Sequence, residues 1–142
     1  RVRDIPFNLL LQDAMAWSHR FNQQLYSLQL EERDVEEKRN SRDNVKKLLF
    51  KSEDWLTTVK AIEQLKVVVT ADTAMAHLCG ALGKACIVVL NCPCDWRWGQ
   101  HGNTCRIYET VFVARCPTPG DWKTALMEVK NCLEHILTNR NF

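Results

Sequence analysis

Polar side chains follow a run of three valines, at a point where the chain passes from one predicted element into the next. The valines at 67–69 and Thr70 lead into Asp72 and Thr73, and His77 lies about one helical turn further on. The first amides of a helix lack intrahelical acceptors, and with the positive end of the helix dipole they favour a phosphate or a carboxylate. We therefore expect an anion site on the amides of residues 73–77, with the Thr73 hydroxyl as a further donor.

Two side chains of this segment have alternative roles. Asp72 can accept hydrogen bonds from ligand hydroxyls, or it can cap the helix that follows, as Asp commonly does. His77 can donate to a phosphate at the same helix end, or it can be a buried histidine whose hydrogen bonds are satisfied inside the domain. The residue types alone leave both questions open.

A second group of polar and aromatic residues, Asp95 to Trp98, follows the next predicted strand. Its two tryptophans beside Arg97 can form a stacked structural corner or a platform for a nucleotide base. Arg97 can bind a phosphate through its fork of N–H donors, or it can pair with Asp95 or a neighbouring carboxylate. Arg115 carries the same ambiguity.

The elements around the first group form a strand, a helix and a strand. Residues 66–70 and 85–90 are apolar runs typical of buried parallel strands, and Gly83 is suited to end the helix predicted at 73–82. In open parallel sheets, ligands bind beyond the carboxyl ends of the strands, which is where the anion site falls. The helix carries small residues beside an apolar stripe of Met75, Leu78, Cys79 and Leu82.

The remaining segments complete an α/β pattern. Helices are predicted from Pro6 to near His19, after an Asp54 cap, and after an Asp121 cap near the end of the chain. Strands are predicted at 24–29 and 111–114, whereas the mixed-charge segment 31–47 is interpreted as a solvated loop or a surface helix. The pattern predicts one domain over residues 1–142, a Rossmann-like open and mostly parallel sheet with helices on both faces.

Composition excludes several partners. The 19 basic residues are spread among 17 acidic ones, so no single-sign face is available for a nucleic acid or a membrane surface. No apolar run approaches the roughly 20 residues of a membrane span. We expect a soluble protein with no nucleic acid partner and no membrane span.

The seven cysteines are odd in number and irregular in spacing, which is typical of reduced thiols in a cytoplasmic protein. A zinc site would draw on Cys92, Cys94, Cys105 and Cys116, with His101 as a further candidate. Structural zinc sites use paired ligands two to four residues apart, and this spacing differs. We therefore expect no metal and no disulfide.

Taken together, these motifs resemble the donor-site segment of heptosyltransferase-like GT-B glycosyltransferases (glycosyltransferase family 9), particularly bacterial members joined to tetratricopeptide repeats. The likeness centres on residues 68–84 and covers nearly the whole chain. Further matches in the family's order are Tyr26-Ser27-Leu28-Gln29, Asp54-Trp55-Leu56, Thr58, Asp95-Trp96-Arg97-Trp98, Tyr108, Thr110, Arg115 and Gly120-Asp121-Trp122.

This resemblance implies the carboxy-terminal, nucleotide-sugar-binding half of a GT-B fold. In the relatives, the donor diphosphate lies against the helix start that matches residues 73–77, and the aspartate matching Asp72 lies close to the sugar. It implies a nucleoside diphosphate sugar such as ADP-heptose as partner, and neither metal nor cofactor. Base, sugar, acceptor and catalytic residues stay open. The implied substrate-binding residues are Asp72, Thr73, Ala74, Met75, Ala76, His77 and Arg97.

The chain also departs from these relatives. By comparison with these relatives, we expect the chain to lack the first strand of the domain, its phosphate-contacting loop and the amino-terminal acceptor domain. Phe112 stands where the repeat-linked relatives often have arginine, and Cys116 where they often have glutamine. We therefore expect a fragment of a larger glycosyltransferase that transfers no sugar on its own. The alternative is a non-catalytic interaction or regulatory module that retains the fold.

Overall fold

A computed structural model describes residues 4–28, 45–47 and 54–139 of the chain. All the described strand pairs are parallel: β1 (Leu25–Ser27) pairs with β2 (Val45–Lys47), and in a second sheet β4 (Cys86–Leu90) lies between β3 (Val68–Ala71) and β5 (Val111–Arg115). This arrangement confirms an α/β fold with open parallel sheets. The helices are α1 (Phe7–Phe21), α2 (Trp55–Glu63), α3 (Ala74–Ala81) and α4 (Trp122–Thr138), and the strands are β1 (Leu25–Ser27), β2 (Val45–Lys47), β3 (Val68–Ala71), β4 (Cys86–Leu90) and β5 (Val111–Arg115).

The central strand β4 is buried along its whole length and separates two apolar layers. Successive side chains of a strand point to opposite faces of the sheet. Ile87 and Val89 therefore pack with residues of α1 and α4, whereas Val88 and Leu90 pack with residues of α2 and α3. Helices cover both faces of the three-stranded sheet, as the continuous apolar pattern of this strand predicts.

Two predicted helix caps are confirmed. The carboxylate of Asp54 accepts from the amide of Leu56 at 2.9 Å at the start of α2, and that of Asp121 accepts from the amide of Thr124 at 3.2 Å at the start of α4. Gly83 has a φ of 65° directly after the last turn of α3, a conformation that favours glycine. These residues fix where the helices begin and end.

The prediction of a loop or surface helix at 31–47 is wrong for Val45–Lys47, which forms β2 and pairs with β1. A strand of three residues with two lysines has no apolar alternation that would reveal it. The rest of that segment lies outside the described residues. The predicted strand at 24–29 is shorter, covering Leu25–Ser27, and Gln29 is also outside them.

The predicted stripe of α3 is wrong at one position. Leu82 is 40% exposed because α3 ends at Ala81, so its side chain lies beyond the packed face of the helix. Within the described ranges, none of the helices is both long enough and apolar enough to cross a membrane.

Two buried thiols make the stability of the fold depend on pH in the alkaline range. Burial and, secondarily, the Glu128 carboxylate raise the pKa of Cys132 from 9.0 to about 11. Burial, together with the carboxylate of Asp121, also raises the pKa of Cys116 to about 11. Because the native state holds these protons more tightly than the unfolded state, their contribution to stability is complete below pH 9 and is lost as pH rises toward 11.

We expect Cys132→Ala to reduce this alkaline sensitivity. Ionisation of Cys132 alone is expected to lower the free energy of unfolding by up to about 2 kcal/mol between about pH 8 and about pH 10.5. Urea unfolding at both pH values gives the loss in free energy of unfolding for the wild type and for the variant. The cavity left by the substitution costs the same at both pH values, so it does not affect the loss measured in the variant. If wild type and variant lose the same free energy, ionisation of Cys132 is not a cause of the alkaline sensitivity.

Candidate functional site

The carboxyl ends of β3 and β4 lie side by side because the two strands are parallel neighbours. The chain passes from β3 through Asp72 and Thr73 into α3, and from β4 through residues 91–95 into a 3-10 turn at Trp96–Trp98. Between these connections lies an open cleft of about 350 Å³, within the range of roughly 300–1,000 Å³ that is usual for ligand pockets. The cleft is lined by Asp72, Thr73, Ala74, His77, Asp95, Arg97 and Trp98.

Five of the seven predicted binding residues line the cleft, and two do not. Met75 is half-buried and packs against the apolar layer beneath α3, and Ala76 is 0% exposed within that layer. Their side chains therefore serve the core, because the face of α3 that they occupy points at the sheet. The structure brings together Asp72, Thr73, Ala74, His77 and Arg97.

The start of α3 offers fewer free amides than predicted. Thr73 is the N-cap residue in an extended conformation, and its carbonyl accepts from the amide of Ala76 at 3.0 Å. The prediction of an anion site on all the amides of residues 73–77 is thus wrong for Ala76, and the donors that remain at the helix start include the amides of Thr73, Ala74 and Met75.

Asp72 does not cap α3, because Thr73 occupies the N-cap position. The side chain of Thr73 makes no capping hydrogen bond either. Instead, Asp72 Oδ1 accepts from Nε1–H of Trp98 at 2.9 Å. Trp98 is only 1% exposed, so this carboxylate satisfies a buried indole N–H. The hydrogen bond ties the β3 connection to the β4 connection across the cleft.

His77 combines the two alternatives that the sequence left open. Its ring is stacked on Trp98 with a centroid separation of 5.0 Å and an interplanar angle of 26°. Its Nδ1 lies 3.2 Å from the hydroxyl oxygen of Tyr108. The side chain is half-buried, and it lines the cleft. It therefore has an internal partner at one nitrogen and still faces the cleft.

The group Asp95 to Trp98 divides into a buried part and an exposed part. Asp95 caps the 3-10 turn and binds Arg97 Nη1 through both carboxylate oxygens, at 3.0 and 2.9 Å. The Arg97 guanidinium also lies 5.1 Å from the ring centroid of Trp96, which is 76% exposed. Trp98 forms the structural corner. Of the two roles predicted for Arg97, the structure has the pair with Asp95.

Arg115 holds the loop that carries this group. Its guanidinium donates to the carbonyl oxygens of Trp98, Gly99 and Gly102, and it lies 3.2 Å from the sulfur of Cys94. Since Arg115 does not line the cleft, it holds the protein structure in place and does not contact a ligand there. Three carbonyls bound by one planar donor group keep the Trp96–Trp98 turn in place against β5.

The charges of the cleft nearly balance. Asp95 and Arg97 neutralise each other as a pair, leaving the carboxylate of Asp72 opposite the positive end of the α3 dipole. Such a cleft can hold an anion on the helix amides and accept hydrogen bonds from hydroxyls at Asp72. In the described parts of the chain, no three His, Cys, Asp or Glu side chains are placed to hold a metal ion, and all seven cysteines are free thiols.

Trp98 and Tyr108 hold two of the cleft residues in place, and sequence reasoning gave neither of them that role. The tryptophans were predicted as a corner or a base platform without distinguishing one from the other, and Tyr108 was placed only by resemblance. Tyr108 lies 31 positions from His77 in the chain. No local pattern signals a contact at that separation.

The fold and the cleft define a class, an α/β domain with a small-molecule-sized cleft at the carboxyl edge of a parallel sheet. Comparison with models of known protein families, with curated proteins and with solved structures finds no match to this chain. The geometry of the cleft and the resemblance of its residues are therefore the observations that bear on its function.

Proposed function

We propose that the cleft binds a nucleoside diphosphate sugar and that the chain is the donor-binding domain of a GT-B glycosyltransferase. The observation that carries the proposal is the convergence of Asp72, Thr73, Ala74, His77 and Arg97 on one cleft. They come from two segments of the sequence, and the resemblance predicted all of them as substrate-binding residues. Their cleft lies at the carboxyl edge of a parallel sheet, where such folds bind ligands.

In this proposal, the diphosphate lies against the start of α3. The amides of Thr73, Ala74 and Met75 donate to its oxygens, and the hydroxyl of Thr73, 3.3 Å from that of Thr70, lies at the same helix end. Fixed donors of this kind stabilise the negative charge that develops on the leaving diphosphate as the glycosyl bond breaks. The helix start therefore binds the donor and assists departure of the nucleoside diphosphate.

In the same proposal, Asp72 binds the sugar. Its Oδ1 is held by Trp98 at 2.9 Å, which leaves Oδ2 as an acceptor for the hydroxyl groups of a sugar. A carboxylate would repel a phosphate placed directly against it, so the sugar and not the diphosphate belongs on this side of the cleft. The proposal covers donor binding, since transfer also requires an acceptor held against the donor.

One observation favours a second candidate, a non-catalytic module that retains the fold. Among the described residues, Arg97 is the only Arg or Lys that lines the cleft, and Asp95 binds it through both oxygens. A guanidinium engaged in this way contributes little net charge to a phosphate site. The module would keep the packed framework of the cleft, including the Asp72–Trp98 hydrogen bond, without binding a donor.

Removing one helix amide tests the proposed binding mode. Ala74 is exposed and is the first residue of α3, a position where proline is tolerated because its missing N–H has no intrahelical acceptor. The preceding residue Thr73 has φ −139° and ψ 172°, which is compatible with a following proline. Ala74→Pro should therefore delete one donor and keep the helix.

We expect millimolar ADP to shift the amide resonances of Thr73, Ala74 and Met75 in the wild-type protein. Ala74→Pro should weaken ADP binding by about tenfold or more, because a hydrogen bond to a charged group contributes about 1.5–3 kcal/mol. Ala74→Ser keeps the N–H and serves as the matched control, which should bind ADP like wild type. Unchanged amide resonances at 73–75 in wild type would exclude donor binding and favour the module.

A further inference from the structure

Behind the cleft, the ring of Tyr108 packs directly against the backbone of α3 at Gly80. A Cβ atom at Gly80 would lie 2.3 Å from Cγ of Tyr108, so only glycine admits the ring at this distance. The Tyr108 ring is also arranged edge-on to His77, with centroids 5.9 Å apart. Gly80 thus sets the position of Tyr108, and Tyr108 in turn contacts the histidine that lines the cleft.

The contact involves a specific nitrogen of the imidazole. His77 Nδ1 lies 3.2 Å from the Tyr108 hydroxyl oxygen. Trp98 covers one face of the same ring at 5.0 Å, so the plane of the imidazole is held from two directions. In the part of the chain that the structure describes, Nε2 has no hydrogen-bond partner, and because His77 lines the cleft, Nε2 is the ring nitrogen available to a ligand there.

We propose that Tyr108 fixes neutral His77 as the Nε2–H tautomer, so that the imidazole presents an N–H donor to the cleft. In neutral histidine one ring nitrogen donates and the other accepts, and the hydrogen bond at one nitrogen sets the state of the other. The Tyr108 hydroxyl carries one proton, and in the described residues its side chain makes no hydrogen bond other than the one to His77. Donating that proton to Nδ1 satisfies the hydroxyl and places the histidine proton on Nε2.

The reverse arrangement is less favourable. If Nδ1–H donated to the Tyr108 oxygen, the hydroxyl proton of this half-buried residue would need another acceptor, and Nε2 would be an acceptor toward the cleft. A neutral acceptor gives no hydrogen bond to a phosphate oxygen. Tyr108 is therefore a positioning residue that acts through His77, and Gly80 is the residue that makes room for it.

The identity of the group that accepts from Nε2–H rests on the proposed function, in which it is a phosphate oxygen of a nucleoside diphosphate sugar. The tautomer itself does not rest on it, because Gly80, Tyr108 and Trp98 define it in the protein without ligand. The two statements can therefore be tested separately on the same sample.

Long-range ¹H–¹⁵N spectra of histidine-labelled protein measure the tautomer directly. We expect wild-type His77 at neutral pH to show the Nε2–H pattern. Tyr108→Phe keeps the ring and removes only the hydroxyl, and we expect it to raise the population of the Nδ1–H tautomer relative to Nε2–H by roughly fivefold, as the loss of one hydrogen bond of ordinary strength allows. Tyr26→Phe, at a tyrosine that is 41% exposed, is the matched control and should leave His77 unchanged.

An Nδ1–H pattern in wild type, or equal tautomer populations in wild type and Tyr108→Phe, would overturn the inference. Inorganic pyrophosphate and ADP then test the ligand. If ADP shifts the amides at 73–75 but leaves His77 Nε2 unchanged, the proposed function stands and the donor role of His77 is refuted. If the tautomer is as expected and neither compound shifts these amides or Nε2, the positioning by Tyr108 stands and the proposed function fails.

Discussion

Gly80→Val is expected to destabilise the domain by about 3 kcal/mol, the upper end of the usual cost of overpacking. Glycine and valine differ by only about 0.5 kcal/mol in helix propensity, with valine the better former, so the loss cannot come from the helix backbone. It comes from the Tyr108 ring, since a Cβ at residue 80 would lie 2.3 Å from Cγ and 2.6 Å from both Cδ atoms. The ring must move or α3 must leave the sheet.

Urea unfolding measures this loss, and Ala81→Val is the matched control. Ala81 is the next residue of α3 and is exposed, so valine there adds only the cost of a β-branched residue in a helix, about 0.5 kcal/mol. In a Tyr108→Ala background, Gly80→Val should lose most of its effect because the clashing ring is absent. Equal losses in the two valine variants, or no relief in the double variant, would refute the close contact.

The strand–helix–strand unit around the cleft was predictable because local pattern and tertiary burial agree there. β4 is buried at all five positions, and an uninterrupted apolar run is what a strand covered on both faces requires. Helix α4 has its Asp121 cap and its apolar period in the same segment. β2 was missed because its pairing with β1, and not its own composition, makes it a strand.

The cleft was predictable in position but not in detail. A strand end followed by a helix start locates an anion site, since both features are local in sequence. The partners of Asp72 and His77 lie 26 and 31 residues away, in a loop whose path is fixed by packing. Residue types allowed a cap at Asp72 and a ligand contact at His77, and only the tertiary contacts show the indole and phenol that bind them.

Asp72→Ala is expected to have the largest effect on the cleft, because it removes two functions at once. The carboxylate is the acceptor for Trp98 Nε1–H at 2.9 Å, and Trp98 is 1% exposed. A buried indole N–H without a partner costs about 1–3 kcal/mol of stability. His77, which stacks on Trp98 at 5.0 Å, is expected to lose its fixed orientation as well.

Asp72→Asn separates the structural function from the proposed contact with the sugar. Asparagine keeps a carbonyl oxygen that can accept from Trp98, so we expect stability within about 1 kcal/mol of wild type. Loss of the negative charge removes repulsion of a phosphate group, and the Asn variant should therefore bind ADP at least as tightly as wild type. With that oxygen bound to Trp98, the NH₂ group takes the place of Oδ2, and an NH₂ group cannot accept hydrogen bonds from sugar hydroxyls.

Calorimetric titration with ADP and with an ADP-linked hexose decides between these functions. In wild type, the hexose should add affinity over ADP alone, and in Asp72→Asn we expect that added affinity to fall by about tenfold or more, since hydrogen bonds to charged groups contribute about 1.5–3 kcal/mol. Asp72→Ala should lose the same increment and also unfold at lower urea concentration. If Asp72→Asn keeps the full increment while Asp72→Ala is destabilised, Asp72 serves only Trp98, and the sugar lies elsewhere in the cleft.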